Sequence, residues 1–295
     1  MVYPRFVPGQ LTRNAIAAQP GWLREVPERV GERRLPAGAR VLFTGCGTSF
    51  HAAQTGGWAE QALELVLRPR EADALLVVSH EGDTQLSLEA ARAFDGPAWL
   101  VTGKPDSPLG ELADEVVVAT PEVEKSWCHT VSYTCAVATI AALHGEDVGG
   151  LPGLVEQALE QREPVSSHER ILVAGAGRDW PTAQEAVLKL REGAWVAAEA
   201  YETEQLLHGH LAAVDERVRA FVLEGEGRAA ERAAGAAAAL RELGCETTLV
   251  PTVHPVVDIV RFQLLTLDLA GARGIDPDPI HRDDPRWARA AEVSK

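Results

Sequence analysis

Hydroxyl side chains gather at two places where a short apolar run gives way to a helix. The first is Gly45-Cys46-Gly47-Thr48-Ser49, and the second is Ser79-His80-Glu81-Gly82-Asp83-Thr84. A strand ending in Gly-x-Gly and turning straight into a helix exposes backbone N–H groups and the positive helix end, while glycine permits the tight turn. Ser and Thr at such starts cap helices everywhere. Two such turns at neighbouring strand ends also ring the crevice where open α/β sheets hold ligands. The chemistry they offer is the binding of sugar hydroxyls or phosphate oxygens. A further group is acid–base in character. Asp179 and Pro181 open a helix carrying Glu185, Lys189 and Glu192 at i, i+4 and i+7, hence on one face. A carboxylate beside a lysine keeps a low pKa unless desolvated, so a proton-shuttling Glu192 needs burial. On a solvated face the same residues are ordinary ion pairs. His208, between Leu206-Leu207 and Gly209, is either a loop histidine or a proton-transfer group.

Positioning these residues requires alternating strands and helices. Val41-Leu42-Phe43, Leu75–Val78, Trp99–Val101 and Val116–Val118 are apolar runs of strand length. Helical stretches run from Thr48 to about Val66 and over Leu86–Phe94. Val/Leu strands separated by helices predict a parallel sheet covered on both faces. The opening then recurs. Arg40-Val-Leu-Phe-Thr-Gly45-Cys-Gly47 through Ala53 aligns without a gap on Arg170-Ile-Leu-Val-Ala-Gly175-Ala-Gly177 through Ala183, sharing Arg, Leu, both glycines and the last Ala. This predicts two similar doubly wound, flavodoxin-like α/β halves in tandem, at 35–162 and at 163–295 with a C-terminal tail. Before them, 1–34 reads as a helix around Leu11–Ala18 and a linker punctuated by Pro4, Pro8, Pro20, Pro27 and Pro36. The connection between the halves is Leu151–Ser167, a helix closed by Pro164. In the second half Val218–Leu223 and Thr247–Pro251 read as strands and Ile259–Ala270 as a helix.

Composition narrows the function. With 46% hydrophobic and 24% charged residues, the 295-residue chain is ordinary globular material that can bury a sizeable core. Its 28 Lys+Arg against 43 Asp+Glu give a formal charge of −15, which argues against nucleic acid as a partner. No apolar run reaches the ~20 residues that span a bilayer. Met1-Val-Tyr-Pro-Arg-Phe6 holds no apolar signal core, so a cytoplasmic location is expected. Cys46, Cys128, Cys135 and Cys245 form no C-x-x-C pair and are expected as free thiols, without a metal or disulfide framework. Neither Gly-rich turn has the third glycine of a dinucleotide fingerprint, and no acidic residue follows at ~20 residues, so no nicotinamide or other cofactor is expected.

The segments Gly45-Cys-Gly-Thr-Ser49, Ser79-x-x-Gly82-x-Thr84 and Pro181-x-Ala183-x-Glu185-Ala-x-Leu188-Lys189-Leu-x-Glu192, with Ala198-Glu-Ala-Tyr201 and His208-Gly209, resemble the sugar isomerase (SIS) family. The likeness is to the isomerase half of glucosamine-6-phosphate synthases and to related deaminases and deglycases, and it covers nearly the whole chain, including Gln19-Pro20. It implies a sugar or amino-sugar phosphate isomerase or deaminase. The Thr and Ser of the first two turns would hold the sugar phosphate, which marks Cys46, Gly47, Thr48, Ser49, Ser79, His80, Glu81 and Thr84 as binding residues, and the segment matching the family's Ser-Thr-Lys adds His129. Glu192 would move a proton between C1 and C2, Lys189 would assist, and His208, whose distance from Glu192 equals the family spacing, would open the sugar ring. In the family that histidine is often lent by a partner subunit, so a homodimer with a shared active site is implied.

The chain departs from the family in several places. Glu81, with Asp83 close behind, replaces a second serine of the phosphate turn. A carboxylate ~4 Å from a phosphate costs about 4 kcal/mol at an effective dielectric near 20, roughly three decades of affinity, and neither turn contains Arg or Lys. Trp127-Cys128-His129 stands where the family has Ser-Thr-Lys, and Gln205 where it has Glu. The tail Asp284-Pro285-Arg286-Trp287-Ala-Arg289 resembles the family's closing segment but lacks its lysine, and Arg289 cannot form a Schiff base. Glutaminase activity is not expected from a chain beginning Met1-Val2. The alternatives are a sugar-phosphate-binding protein without turnover, or an enzyme acting on a non-phosphorylated sugar derivative.

Overall fold

A computed structural model describes residues 7–293. Met1–Phe6, on which the localisation expectation rests, lies outside them. Helix α1 (Gln10–Val30) opens the chain and runs straight through Pro20 and Pro27, so the predicted proline linker is helix instead. An interior proline costs ~3 kcal/mol because it removes a backbone donor and crowds the preceding turn. Here the Ile16 carbonyl, which Pro20 cannot serve, takes the Gln19 side-chain amide at 3.0 Å. Ile16, Leu23, Val26 and Val30 are buried in the central core, and that burial outweighs the break.

The first half follows as β1 (Val41–Thr44), α2 (Thr48–Gln54), α3 (Ala62–Leu67), β2 (Ala74–Val78), α4 (Gln85–Ala93), β3 (Ala98–Thr102), β4 (Glu115–Val118), α5 (Val131–Leu143) and α6 (Leu151–Leu159). The strands pair in parallel in the order β1-β2-β3-β4, with Phe43 opposite Leu76 and Leu76 opposite Trp99. Successive residues face opposite cores: Phe43, Leu76 and Val101 join the central cluster, while Leu42, Leu75 and Leu100 join the outer one. The single helix expected up to Val66 is broken between α2 and α3. There the chain swings back beside β1, where Ala59 forms one parallel bridge to Phe43.

The second half contains β5 (Arg170–Gly175), α7 (Trp180–Ala194), β6 (Ala197–Glu202), α8 (Thr203–Leu207), β7 (Val218–Leu223), α9 (Arg228–Glu242), β8 (Glu246–Val250), α10 (Pro255–Arg273) and α11 (Pro285–Val293). Its parallel sheet has the order β6-β5-β7-β8. β6 takes the side of β5 that Ala59 takes beside β1. The fold is α/β with two parallel sheets, and α1, α5, α7 and α10 fill the space between the halves.

Residues Val131–Leu143 are buried all round. Such a helix lacks the amphipathic period that marks a surface helix, and for that reason sequence reading passes over it. The connection between the halves is helical only to Leu159, short of the expected stop at Pro164. Beyond it Glu163 binds Arg219 at 3.0 Å and also Arg261, while the Pro164 carbonyl accepts from Arg219. Among the described residues no helix is long and apolar enough to cross a membrane.

Candidate active site

A cavity of 430 Å³ opens at the C-terminal ends of the first sheet's strands. It is lined by Cys46, Gly47, Thr48 and Ser49 of the first turn and by Ser79, His80, Glu81, Asp83 and Thr84 of the second. Trp127, His129, Glu192, Ile280 and Arg282 close it. Every residue expected to bind ligand therefore faces one space, as does Glu192. Lys189 and His208 do not line it. The first turn is shaped by its glycines: a Cβ on Gly45 would lie 2.8 Å from the Ser49 backbone, and Gly47 has φ +54°. Gly45 thus lets α2 approach β1, and Gly47 takes a left-handed conformation that a side chain resists.

The acid–base face of α7 reaches the cavity through a buried charge network. The Lys189 ammonium is fully buried, 2.6 Å from Glu192 Oε2, 3.5 Å from Glu185 Oε1 and 3.1 Å from Thr48 Oγ1. Glu185, also fully buried, accepts from Thr48 Oγ1 at 3.2 Å and lies 2.7 Å from His51 Nδ1. Burial alone would push Lys189 down, but Glu192 and Glu185 outweigh it and hold the ammonium well above its ordinary pKa. Lys189 is therefore held as a cation between the two carboxylates. The Thr48 hydroxyl has its proton on Glu185 and one lone pair on Lys189, so the donors this turn offers a ligand are its backbone N–H groups and Ser49. Glu192, with a quarter of its side chain exposed, is the carboxylate of the network that meets the cavity.

The wall opposite is a loop locked by Glu124. This buried carboxylate accepts from Thr130 N–H (2.8 Å) and Oγ (3.0 Å) and from Ser132 N–H (2.9 Å) and Oγ (2.6 Å), at the N-terminal end of α5. Burial pushes its pKa up, but His129 and the Ser132 bonds prevail and hold it at about 2. His80 Nε2 accepts the Glu124 backbone N–H at 2.9 Å, and burial with His129 nearby pulls its pKa down to about 4. His80 is therefore a neutral ring at neutral pH. Burial also raises the Cys46 thiol, which stays protonated there.

Sequence reading marked the tail from Asp284 onward but missed the residues just before it, Asp278 and Arg282 among them. Asp278 accepts from Leu11 N–H (2.9 Å), Thr12 N–H (2.8 Å) and Thr12 Oγ1 (2.7 Å), which ties the start of α1 to the tail. Thr12 Oγ1 also meets Ser126 Oγ at 2.7 Å, and the Asp278 carbonyl accepts from Trp127 N–H at 3.1 Å. This junction sets Trp127 and Arg282 on the rim. The Asp/Pro-dense run 276–285 was its only trace in the sequence.

His208 is exposed and paired with Glu204 at 2.8 Å, so it reaches no cavity residue of its own chain. The matching turn of the second half is filled from within. Asp179 Oδ2 accepts from Thr252 Oγ1 at 3.1 Å, and that hydroxyl accepts from Gly225 N–H at 3.1 Å. Burial, with Asp179 nearby, pushes Asp258 up to about 7 against its bond from Val253 N–H. An unfolded aspartate titrates near ~3.9, so the folded chain keeps a proton between about 4 and 7 that the unfolded chain loses. Stability should therefore fall as pH rises through that window. Asp258→Asn is expected to remove about 2–4 kcal/mol of this slope, read as the difference in urea unfolding between pH 5 and pH 8. An equal slope in wild type and variant would show that Asp258 does not hold the proton.

Residues 165–275 match the SIS domain family. Glutamine–fructose-6-phosphate aminotransferases are relatives. That of Gloeobacter violaceus is 25% identical over 89% of this chain and 56% of its own length. That of Methanothermobacter thermautotrophicus is 27% identical over 86% and 51%. The chain thus spans about half the length of these relatives. Among solved structures, the C-terminal domain of the Francisella tularensis glucosamine-fructose-6-phosphate aminotransferase superposes with TM-score 0.76 at 20% identity, covering 91% of this chain and 98% of its own. Glucosamine-6-phosphate deaminase of Thermotoga maritima gives 0.73 at 20% identity, covering 92% and 97%. Tagatose-6-phosphate ketose/aldose isomerase of Escherichia coli gives 0.74 at 17% identity, covering 94% and 98%. Residues 165–275 are thus similar to the SIS domain, within an α/β fold that the chain shares with these structures.

Proposed function

We propose that this protein is an aldose–ketose isomerase or deaminase acting on a sugar or amino-sugar phosphate, with Glu192 moving the proton between C1 and C2. The observation that carries the reading is Glu192 at the cavity edge, its Oε2 fixed at 2.6 Å by a buried ammonium that is itself anchored to the first turn. A carboxylate so held has one oxygen tied and the other available to take a proton from C2 and return it to C1 of the enediol. The backbone amides of the first turn and Ser49, with Ser79 and Thr84 of the second, supply donors for the sugar. The relatives isomerise or deaminate sugar phosphates by name, and their shared fold supports the same class here.

His208 would open the sugar ring across a homodimer interface, since within one chain it stands away from Glu192. The two sheets, with Ala59 beside β1 where β6 lies beside β5, support two SIS-like halves in tandem. Glu81 on the cavity wall favours a second reading, in which the ligand presents a hydroxyl or amine there instead of phosphate. Solvent isotope exchange tests the first reading. Fructose 6-phosphate or glucosamine 6-phosphate in ²H₂O should acquire deuterium at the carbon next to the carbonyl. Binding of either sugar phosphate without exchange would make the protein a binding module.

A further inference from the structure

Arg282 is the only Lys or Arg side chain among the described residues that line the cavity, where it joins three carboxylates, Glu81, Asp83 and Glu192. Its guanidinium carbon lies 3.6 Å from the centroid of the Trp127 ring. Stacking of this kind uses the guanidinium face and leaves its N–H edges to donate, and no Asp or Glu among the described residues forms an ion pair with it. The segment carrying it is held on both sides. His281 is sandwiched between Trp195 (3.6 Å, 15°) and Trp287 (4.0 Å, 14°), and Ile280 and His281 adopt φ of +44° and +64°. Left-handed backbone at two side-chain-bearing residues in a row persists only where the surroundings impose it. Here they are the aromatic stack above and the Asp278 junction below. Trp195 follows α7 directly, so the helix that carries Glu192 also anchors the tail.

We propose that Arg282 is the anion-recognising residue of this site, taking an oxyanion of the sugar derivative while Glu81 accepts from a hydroxyl or amine of the same ligand. The inference rests on the sugar-processing reading of the cavity. It explains how a site can hold an anionic ligand with Glu81 in its second turn: the compensating charge comes from the tail, far away in sequence. A planar fork suits phosphate and carboxylate alike, so the shared chemistry is a tetrahedral or planar oxyanion on a sugar.

Calorimetry with glucosamine 6-phosphate, fructose 6-phosphate, glucuronate and uncharged glucose on wild type, Arg282→Gln and Arg282→Lys decides it. In wild type the sugar phosphates or glucuronate should bind tighter than glucose. Arg282→Gln should weaken those anionic ligands by roughly 10- to 100-fold and leave glucose unchanged, with Arg282→Lys intermediate. Loss confined to the sugar phosphates identifies phosphate, and loss confined to glucuronate identifies a carboxylate. Equal weakening of charged and uncharged sugars would reduce Arg282 to a structural part of the tail. An unchanged preference, or no preference for anions in wild type, would also overturn the proposal. Isotope exchange at saturating sugar phosphate separates the two readings. Exchange that persists in Arg282→Gln with a raised KM leaves the isomerase reading standing whatever the arginine does. Absent exchange in wild type, alongside an Arg282-dependent preference for anions, removes the isomerase reading and leaves the arginine's role intact.

Discussion

Glu192→Gln is expected to lower turnover by ~10²–10⁴ while leaving the fold intact. In barrier terms that is about 3–5.5 kcal/mol, the range expected when a positioned base is lost. Glutamine keeps the shape of glutamate, and its amide oxygen can still accept from the Lys189 ammonium that now meets Glu192 Oε2 at 2.6 Å. The substitution therefore removes basicity and preserves position. Because Glu192 sits at the edge of the network with a quarter of its side chain in solvent, neutralising it leaves the buried Lys189–Glu185 pair in place. Thermal unfolding should move by no more than a few degrees. Turnover of the true substrate that survives the change would remove Glu192 from the mechanism.

What could be read beforehand divides along physical lines. The strands, both Gly-rich turns and the shared face of Glu185, Lys189 and Glu192 were legible because each is a local pattern: apolar runs, glycine punctuation, helical spacing. Eight of the nine residues expected to bind ligand lie just after β1 and β2 and line one cavity because strand ends in a parallel sheet converge, whereas His129 joins them from the loop before α5. Local pattern failed where tertiary context decides. Pro20 and Pro27 read as breaks, yet α1 continues because its apolar face is buried and the Gln19 amide serves the Ile16 carbonyl. The Thr48 hydroxyl read as a ligand donor, yet Glu185 and Lys189 from the other half take it up. Arg282 carried no sequence signal, because its role exists only once Asp278 has tied the tail to α1 and Trp127 has come beneath it.

The largest loss of stability is expected from Lys189→Met. The ammonium has no exposed surface and lies between Glu192 at 2.6 Å and the equally buried Glu185 at 3.5 Å. Removing one partner of a buried ion pair costs about 3–5 kcal/mol, because the remaining charge is left without compensation in a poor solvent. Native stability is typically 5–15 kcal/mol, so a substantial part of it is at stake. Methionine roughly fills the aliphatic volume, so the loss reports on charge more than on a cavity. Glu185 would then keep only Thr48 Oγ1 and His51 Nδ1 as partners. Adding Glu185→Gln to Lys189→Met removes the stranded carboxylate, and the double variant should recover ~1–3 kcal/mol over the single one by denaturant unfolding. It should not recover turnover, because the anchor of Glu192 is still missing. If Lys189→Met unfolds at the wild-type denaturant concentration, or if Glu185→Gln deepens the loss instead of relieving it, the ammonium is not what makes the buried carboxylate tolerable.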